Sequence, residues 1–165
     1  MALIVGNTPG TDTRISEEKI KGYKHFANKL WNITRFVLEN TEGYDPNESH
    51  GPLAESDKKL LAELYELIND VTVDMEEYRL YLAAEKLYQY AWHTLADKIL
   101  EDAKTRLKDN SNESDKKSAQ WTLLEILRTT ITVLHPFIPF VTEEIWESLP
   151  NKEIDMLMVA PWPKV

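Results

Sequence analysis

Cysteine is absent from the 165 residues, which excludes a disulfide framework and any zinc site built on thiolates. That lack is compatible with a reducing compartment without proving one. Glycine is scarce, with five in all, and long β-branched runs are missing. Leu, Glu, Lys and Ala are plentiful instead, a balance that favours helix. No apolar run approaches the roughly 18 residues that a membrane-spanning helix needs. The apolar opening Met1-Ala2-Leu3-Ile4-Val5-Gly6 is too short for a signal peptide and lacks a basic leader, so a cytoplasmic location is expected. His25, His50, His93 and His135 are scattered with no pair at helical-turn spacing, and no metal site is expected from them. No Gly-rich phosphate loop is present.

What is there describes a globular chain. Hydrophobic residues make up 42% and charged residues 28%, outside the range of disordered sequences. The length suits one domain that buries about two-thirds of its unfolded surface. A net charge of −9 argues against a general nucleic-acid coat but leaves room for a local basic face, because physiological salt screens beyond about 8 Å.

Such a face is suggested by a second absence. From Lys19 to Leu38 there is no acidic residue, although Asp and Glu number 28 in the whole chain; a random stretch of this length would hold about three. Lys19, Lys21, Lys24, Lys29 and Arg35 lie within it. On a helical wheel, Tyr23, Phe26, Ala27, Leu30, Ile33, Thr34 and Val37 fall near Ile20 on a buried arc. Lys24, Arg35, Asn28, Lys21, Asn32, His25, Phe36 and Lys29 occupy the opposite arc. Phe36 is the anomaly, an apolar ring among cations and amides. One reading is a platform on which an unstacked base sits while amides read base edges and cations hold phosphate. The other is a ring that packs beneath the following loop.

The pattern along the chain is helical throughout. Residues 1–15 are turn-rich. Ser16 with Glu17 and Glu18 marks a helix start, and Thr41-Glu42-Gly43 an end near Asn40. Pro46, Gly51 and Pro52 mark a loop, and Ser56 is the expected cap of a second helix carrying Leu60, Leu61, Leu64, Ile68, Val71, Met75 and Tyr78. The register breaks around Arg79–Leu82 without Gly or Pro. A third helix runs through Leu87, Ala91, Leu95 and Ile99 to about Leu107, and Lys108–Asp115 reads as a solvated loop. A fourth helix carries Trp121, Leu124, Leu127, Ile131 and Leu134 and stops near His135 because Pro136 follows. Pro139 opens a short fifth helix through Thr142, Ile145 and Trp146. The tail Met156–Pro163 reads as apolar and extended. The expected architecture is all-α, an antiparallel bundle of about five helices.

Other chemistry is weaker. His135 at a helix end is expected to cap carbonyls, and Glu143 with Glu144 to serve a helix dipole rather than acid catalysis. Trp92, Trp121, Trp146 and Trp162 read as core or lid residues. Asn32-Ile33-Thr34, Asn47-Glu48-Ser49 and Asn112-Glu113-Ser114 match a glycosylation pattern that means little without a secretory signal. No nucleophile, base and pocket can be assembled.

The run Phe26-Ala27-Asn28-Lys29-Leu30-Trp31-Asn32, with Arg35-Phe36-Val37-Leu38, resembles the first helix of the anticodon-binding domain of valyl-tRNA synthetases. Leu134-His135-Pro136-Phe137-Ile138-Pro139-Phe140-Val141-Thr142-Glu143-Glu144-Ile145-Trp146 resembles the same domain. So do the tail Met158-Val159-Ala160-Pro161-Trp162-Pro163 and the opening Pro9-Gly10-Thr11-Asp12-Thr13-Arg14. The four runs stand in the family's order and cover the chain from end to end. Isoleucyl and leucyl enzymes share the bundle, but Trp31 with Asn32 and the Ala-Pro-Trp-Pro tail resemble the valyl branch more.

The resemblance implies a class Ia type anticodon-binding bundle over 1–165 that grips the tRNA anticodon loop. It implies anticodon contacts at Lys29, Arg35, Phe36 and Leu100, with Asn28 and Asp97 weaker; the wheel adds Asn32, Lys24 and Lys21. The His-Ile-Gly-His and Lys-Met-Ser-Lys-Ser signatures of the family's catalytic domain do not occur. The expectation is therefore a segment with no catalytic residues and no cofactor of its own. Residues 1–15 would lead in from a catalytic domain that uses ATP and Mg²⁺, and 150–165 would lead on to a C-terminal arm. The expected partners are a valine-accepting tRNA and that catalytic domain, in a monomer without membrane attachment. Alternatives are the matching domain of an isoleucyl or leucyl enzyme, or a helical module whose basic face meets an acidic protein.

Overall fold

The computed structural model describes the whole chain except residues 7–9, 11, 13, 14, 47–50, 109–111, 151, 153 and 165. Parts of the Pro9–Arg14 run, of the loop after Asp45, of the Lys108–Asp115 loop, and the Asn47-Glu48-Ser49 match therefore lie outside the described residues. Six α-helices follow in order: α1 Glu17–Asn40, α2 Glu55–Glu76, α3 Leu80–Gln89, α4 Leu100–Arg106, α5 Glu113–Leu134 and α6 Pro139–Ser148. Between α3 and α4 the chain remains helical but widens into a π-helical segment, Tyr90–Ile99. The flanking Gln89 and Leu100 keep right-handed helical dihedrals, so α3, the π segment and α4 form one long rod. Counted that way there are five main helices, and no strand occurs among the described residues.

Local chemistry explains most of the boundaries. Ser16 caps α1 by accepting from the Lys19 N–H at 3.1 Å, with Glu17 and Glu18 in the first turn. Pro139 occupies the first turn of α6. α2 starts one residue before its expected cap, and Ala54 rather than Ser56 precedes it. The Ala54 N–H is held by the Ser118 hydroxyl at 3.0 Å, so a distant side chain fixes this entry. α5 begins at Glu113, capped by Asn112 through the Ser114 N–H at 2.9 Å, so the last residues of the expected loop are helical.

The break between α2 and α3 falls at Glu77–Arg79, slightly before the position the sequence suggests. Tyr78 adopts φ 59°, a left-handed conformation normally given to glycine. Its N–H bonds to the Met75 carbonyl at 3.1 Å and that of Arg79 to the Asp74 carbonyl at 2.7 Å. This pair of bonds is the Schellman end of a helix. The Asp74 carboxylate, almost fully buried, pairs with Arg79 at 2.8 Å and with Lys86 at 2.8 Å, and Arg79 also meets Glu77. Burial pushes the Asp74 carboxyl up, but its bonds to Lys86 and Arg79 outweigh that and hold it below the usual range.

α5 is the central post, touching α1, α2, α3, α4 and α6. The sequence pattern assigns it one apolar stripe, yet Leu123, Ile126, Thr130 and Val133 are buried along with Leu124, Leu127, Ile131 and Leu134. A helix surrounded by neighbours buries nearly all its circumference. Leu30, Ile33, Val37, Leu64, Ile68, Leu95, Leu127 and Trp146 all lie in the core. Ile20, at 53% exposure, does not join the buried face of α1; it sits in the first turns, ahead of the point where α1 enters the bundle at Phe26.

A partly buried fork ties three helices together. Arg106 of α4 donates to both oxygens of Asp57 in α2 at 2.6 and 2.7 Å, and to Asp115 of α5 at 2.7 Å. Ser118 adds a hydroxyl bond to Asp57 at 2.5 Å. The tail is not simply extended. Leu157–Val159 makes a 3₁₀ turn whose first N–H groups, from Leu157 and Met158, bond to the Glu143 carboxylate at 2.7 and 3.1 Å. Glu143 thus serves a helical N-terminus, but that of the tail rather than its own helix. His135 faces the Thr142 hydroxyl at 2.9 Å instead of capping carbonyls; that hydroxyl shares its one proton between the Ile138 and Pro139 carbonyls, each at 3.0 Å. The Trp162 indole N–H reaches the Thr72 hydroxyl at 2.9 Å and straps the chain end to α2.

Candidate nucleic-acid interface

The outward face of α1 is set by the depth of its inner face. Phe26, Leu30, Ile33, Thr34 and Val37 are buried, which turns Lys21, Lys24, His25, Asn28, Asn32 and Arg35 to solvent. Neither Asn28 nor Asn32 has a side-chain hydrogen bond among the described residues, so both amides remain available to a ligand.

The cations are less free than the acid-free stretch suggests. Lys21 lies 3.7 Å from Glu17 and Arg35 lies 3.7 Å from Glu39. Both acids lie just outside the stretch, each one helical turn from the cation it meets. Exposed pairs of this kind contribute only about 0.3–0.5 kcal/mol, so each cation can change partner at little cost. Lys24 has no ion-pair partner among the described residues. Lys29 is held more firmly. Its ammonium donates to Asp97 at 2.9 Å and stands 5.5 Å from the centre of the Trp92 ring. The hydrogen bond from Lys29, with a smaller contribution from His93 at 3.5 Å, keeps the Asp97 carboxyl below the usual carboxylate range. Trp92 is fixed in turn by stacking with Tyr88 and Phe26. Asp97 and Trp92 both come from the π segment, so that segment is the second wall of the site.

Phe36 falls between the two readings its position allowed. It is half-buried and packs against the core, yet its ring is partly open, with the Lys104 ammonium of α4 at 5.9 Å from the ring centre. Leu100 departs from expectation. Only 6% of it is exposed and it belongs to the core cluster, since an apolar side chain on the rod's inner face gains more by packing against the bundle. The structure therefore gathers Lys24, Asn28, Lys29, Asn32, Arg35 and Phe36 on one helix and places Leu100 in the interior. The nearness of Lys104 to Phe36 was not visible in the sequence, because only the fold brings residues so far apart in the chain within 5.9 Å.

The family model for the anticodon-binding domain of tRNA ligase matches residues 57–165. Among curated proteins, the chain is 44% identical to the valine–tRNA ligase of Carboxydothermus hydrogenoformans, over 98% of this chain and 18% of that protein. The valine–tRNA ligase of Geobacillus kaustophilus is 40% identical, over 99% of this chain and 18% of its own length. That of Aquifex aeolicus is 35% identical, over 98% of this chain and 15% of its own length. The chain thus spans less than a fifth of the length of these relatives.

Proposed function

Because this chain belongs to the family of anticodon-binding domains of tRNA ligases, we propose that the outward face of α1 receives the anticodon stem-loop of a transfer RNA. The observation that carries the reading is the juxtaposition, on one helix face, of exposed Lys24, Asn28, Asn32 and Arg35 with the half-buried ring of Phe36. Cations hold the loop's phosphates, amides address base edges, and the ring offers a stacking surface. Lys29 contributes once its ammonium turns from Asp97 to a phosphate.

The names of the curated relatives favour valine as the amino acid. In this reading the chain is the anticodon-gripping part of a valine–tRNA ligase, acting in the cytoplasm, one copy to one tRNA. The joining of valine to ATP and then to tRNA, with Mg²⁺, belongs to a catalytic domain of the same enzyme. The present residues position the substrate and take no part in the bond-making steps.

The test is titration of the full chain with a stem-loop carrying a valine anticodon and with an anticodon-swapped control, over a range of salt. The expected result is tighter binding to the valine loop and a log–log salt slope of roughly −0.7 for each phosphate neutralised. Equal, salt-independent binding to both would remove the reading and leave a helical protein-interaction module.

A further inference from the structure

We propose that Lys104 of α4 is part of the RNA-binding surface: it covers the open face of Phe36 in the free protein and passes its ammonium to a backbone phosphate when a base takes that face. This rests on the reading of α1 as the anticodon-facing helix and extends the site to a second helix.

Three observations carry it. The Lys104 ammonium stands 5.9 Å from the centre of the Phe36 ring, within the range where a cation is attracted to an aromatic face. An ammonium on that face occupies the place a stacked base would take, so the two are alternatives. Among the described residues, Lys104 is otherwise held only by Glu101, three residues away on the same exposed surface, at 2.6 Å. Its side chain is about half exposed, at 49%, so it is free to swing on its four-carbon stem. A lysine displaced from a stacked ring has its charge within one side-chain length of the nucleotide that displaced it. The nearest strong acceptor is then that nucleotide's phosphate. Glu101 repels the same phosphate, which favours transfer of Lys104 away from the carboxylate rather than a three-way contact.

Arg35 and Lys104 then grip the loop from two helices, with Phe36 between them. Because α4 is the continuation of the π segment that supplies Asp97 and Trp92, one rod furnishes the whole second wall.

The experiment compares the full chain with its Lys104→Ala and Lys104→Arg variants, using the valine-anticodon stem-loop at several salt concentrations. Lys104→Ala is expected to bind about three- to tenfold more weakly, with a salt slope shallower by roughly 0.7, the loss of one phosphate contact. Lys104→Arg is expected to retain both affinity and slope. If wild type binds in a salt-dependent way and Lys104→Ala matches it in affinity and slope, the proposal is overturned while the α1 reading stands. If wild type itself does not bind the stem-loop, both fall together.

Discussion

Phe36 bears the sharpest test of the site, because its half-buried ring lies among the cations and amides of the outward arc of α1. Phe36→Ala is expected to weaken stem-loop binding by about 1–3 kcal/mol, the usual loss for one stacked base. Stacking tolerates any base, so most of the loss is expected with an anticodon-swapped loop as well. Titration of both loops, with helicity checked by circular dichroism, measures it; unchanged affinity in a folded variant would make Phe36 a packing residue only. Arg35→Lys separates charge from geometry, since it keeps the cation but removes the planar fork. The sequence made Phe36 and the cations visible because they depend only on helical phase. It could not reveal that Lys29 is engaged by Asp97, since that contact joins residues 68 positions apart, nor that Leu100 is spent on the core.

Among the helical elements, the α2–α3 junction carries a stored cost. Tyr78 holds a left-handed conformation that disfavours side chains by about 1–2 kcal/mol, and it is 85% exposed, so little packing repays it. Tyr78→Gly is expected to raise stability by about 0.5–1 kcal/mol after the extra chain entropy of glycine. The urea midpoint reads this directly, and a fall would mean that the tyrosine makes a contribution beyond its backbone. Asp74 gives the same junction a pH dependence. Its folded-state carboxyl is held below the ordinary range by Lys86 and Arg79, against the opposing pull of burial. Its contribution is therefore complete above the usual carboxylate range and lost as pH falls through the lowered value. Comparing wild type with Asp74→Asn in urea, the stability gap is expected to be largest near neutrality and to close in acid; a gap independent of pH would contradict it. The start of α1 was legible because Ser16 and its acids are local signals. The break at Tyr78 was displaced because the residue that turns the chain is not the glycine such turns advertise. Its compensation comes from an ion pair to the next helix.

For the molecule as a whole, the fork at Arg106 decides how α2, α4 and α5 are held. Asp57 is 1% exposed and its carboxylate meets Arg106 and Ser118. Asp57→Ala leaves the guanidinium with half its partners in a partly buried place. The expected loss is about 3–5 kcal/mol in urea unfolding, as for other broken buried pairs. A loss below about 1 kcal/mol would show that Asp115 alone satisfies the arginine. The bundle was legible from helical periodicity, yet the centrality of α5 was not. Thr122, Thr129 and Thr130 lie outside the apolar stripe that periodicity marks, yet they are buried between neighbours.

The π segment Tyr90–Ile99 has a consequence for how this protein can vary over evolutionary time. Its hydrogen bonds span five residues where an α-helix spans four, so it works as a phasing insert between the two ends of one rod. Deleting a single residue there would leave a continuous helix but rotate all that follows by about 100°. Lys104 would swing off Phe36, and Arg106 would lose Asp57. Single substitutions in the segment change one contact at a time, whereas a change of length moves every contact of α4 at once, that of Lys104 with Phe36 and that of Arg106 with Asp57 included. The number of residues in this stretch is therefore held more tightly than the identity of its solvent-facing ones, while Ala91, Leu95 and Ile99 stay tied to the core.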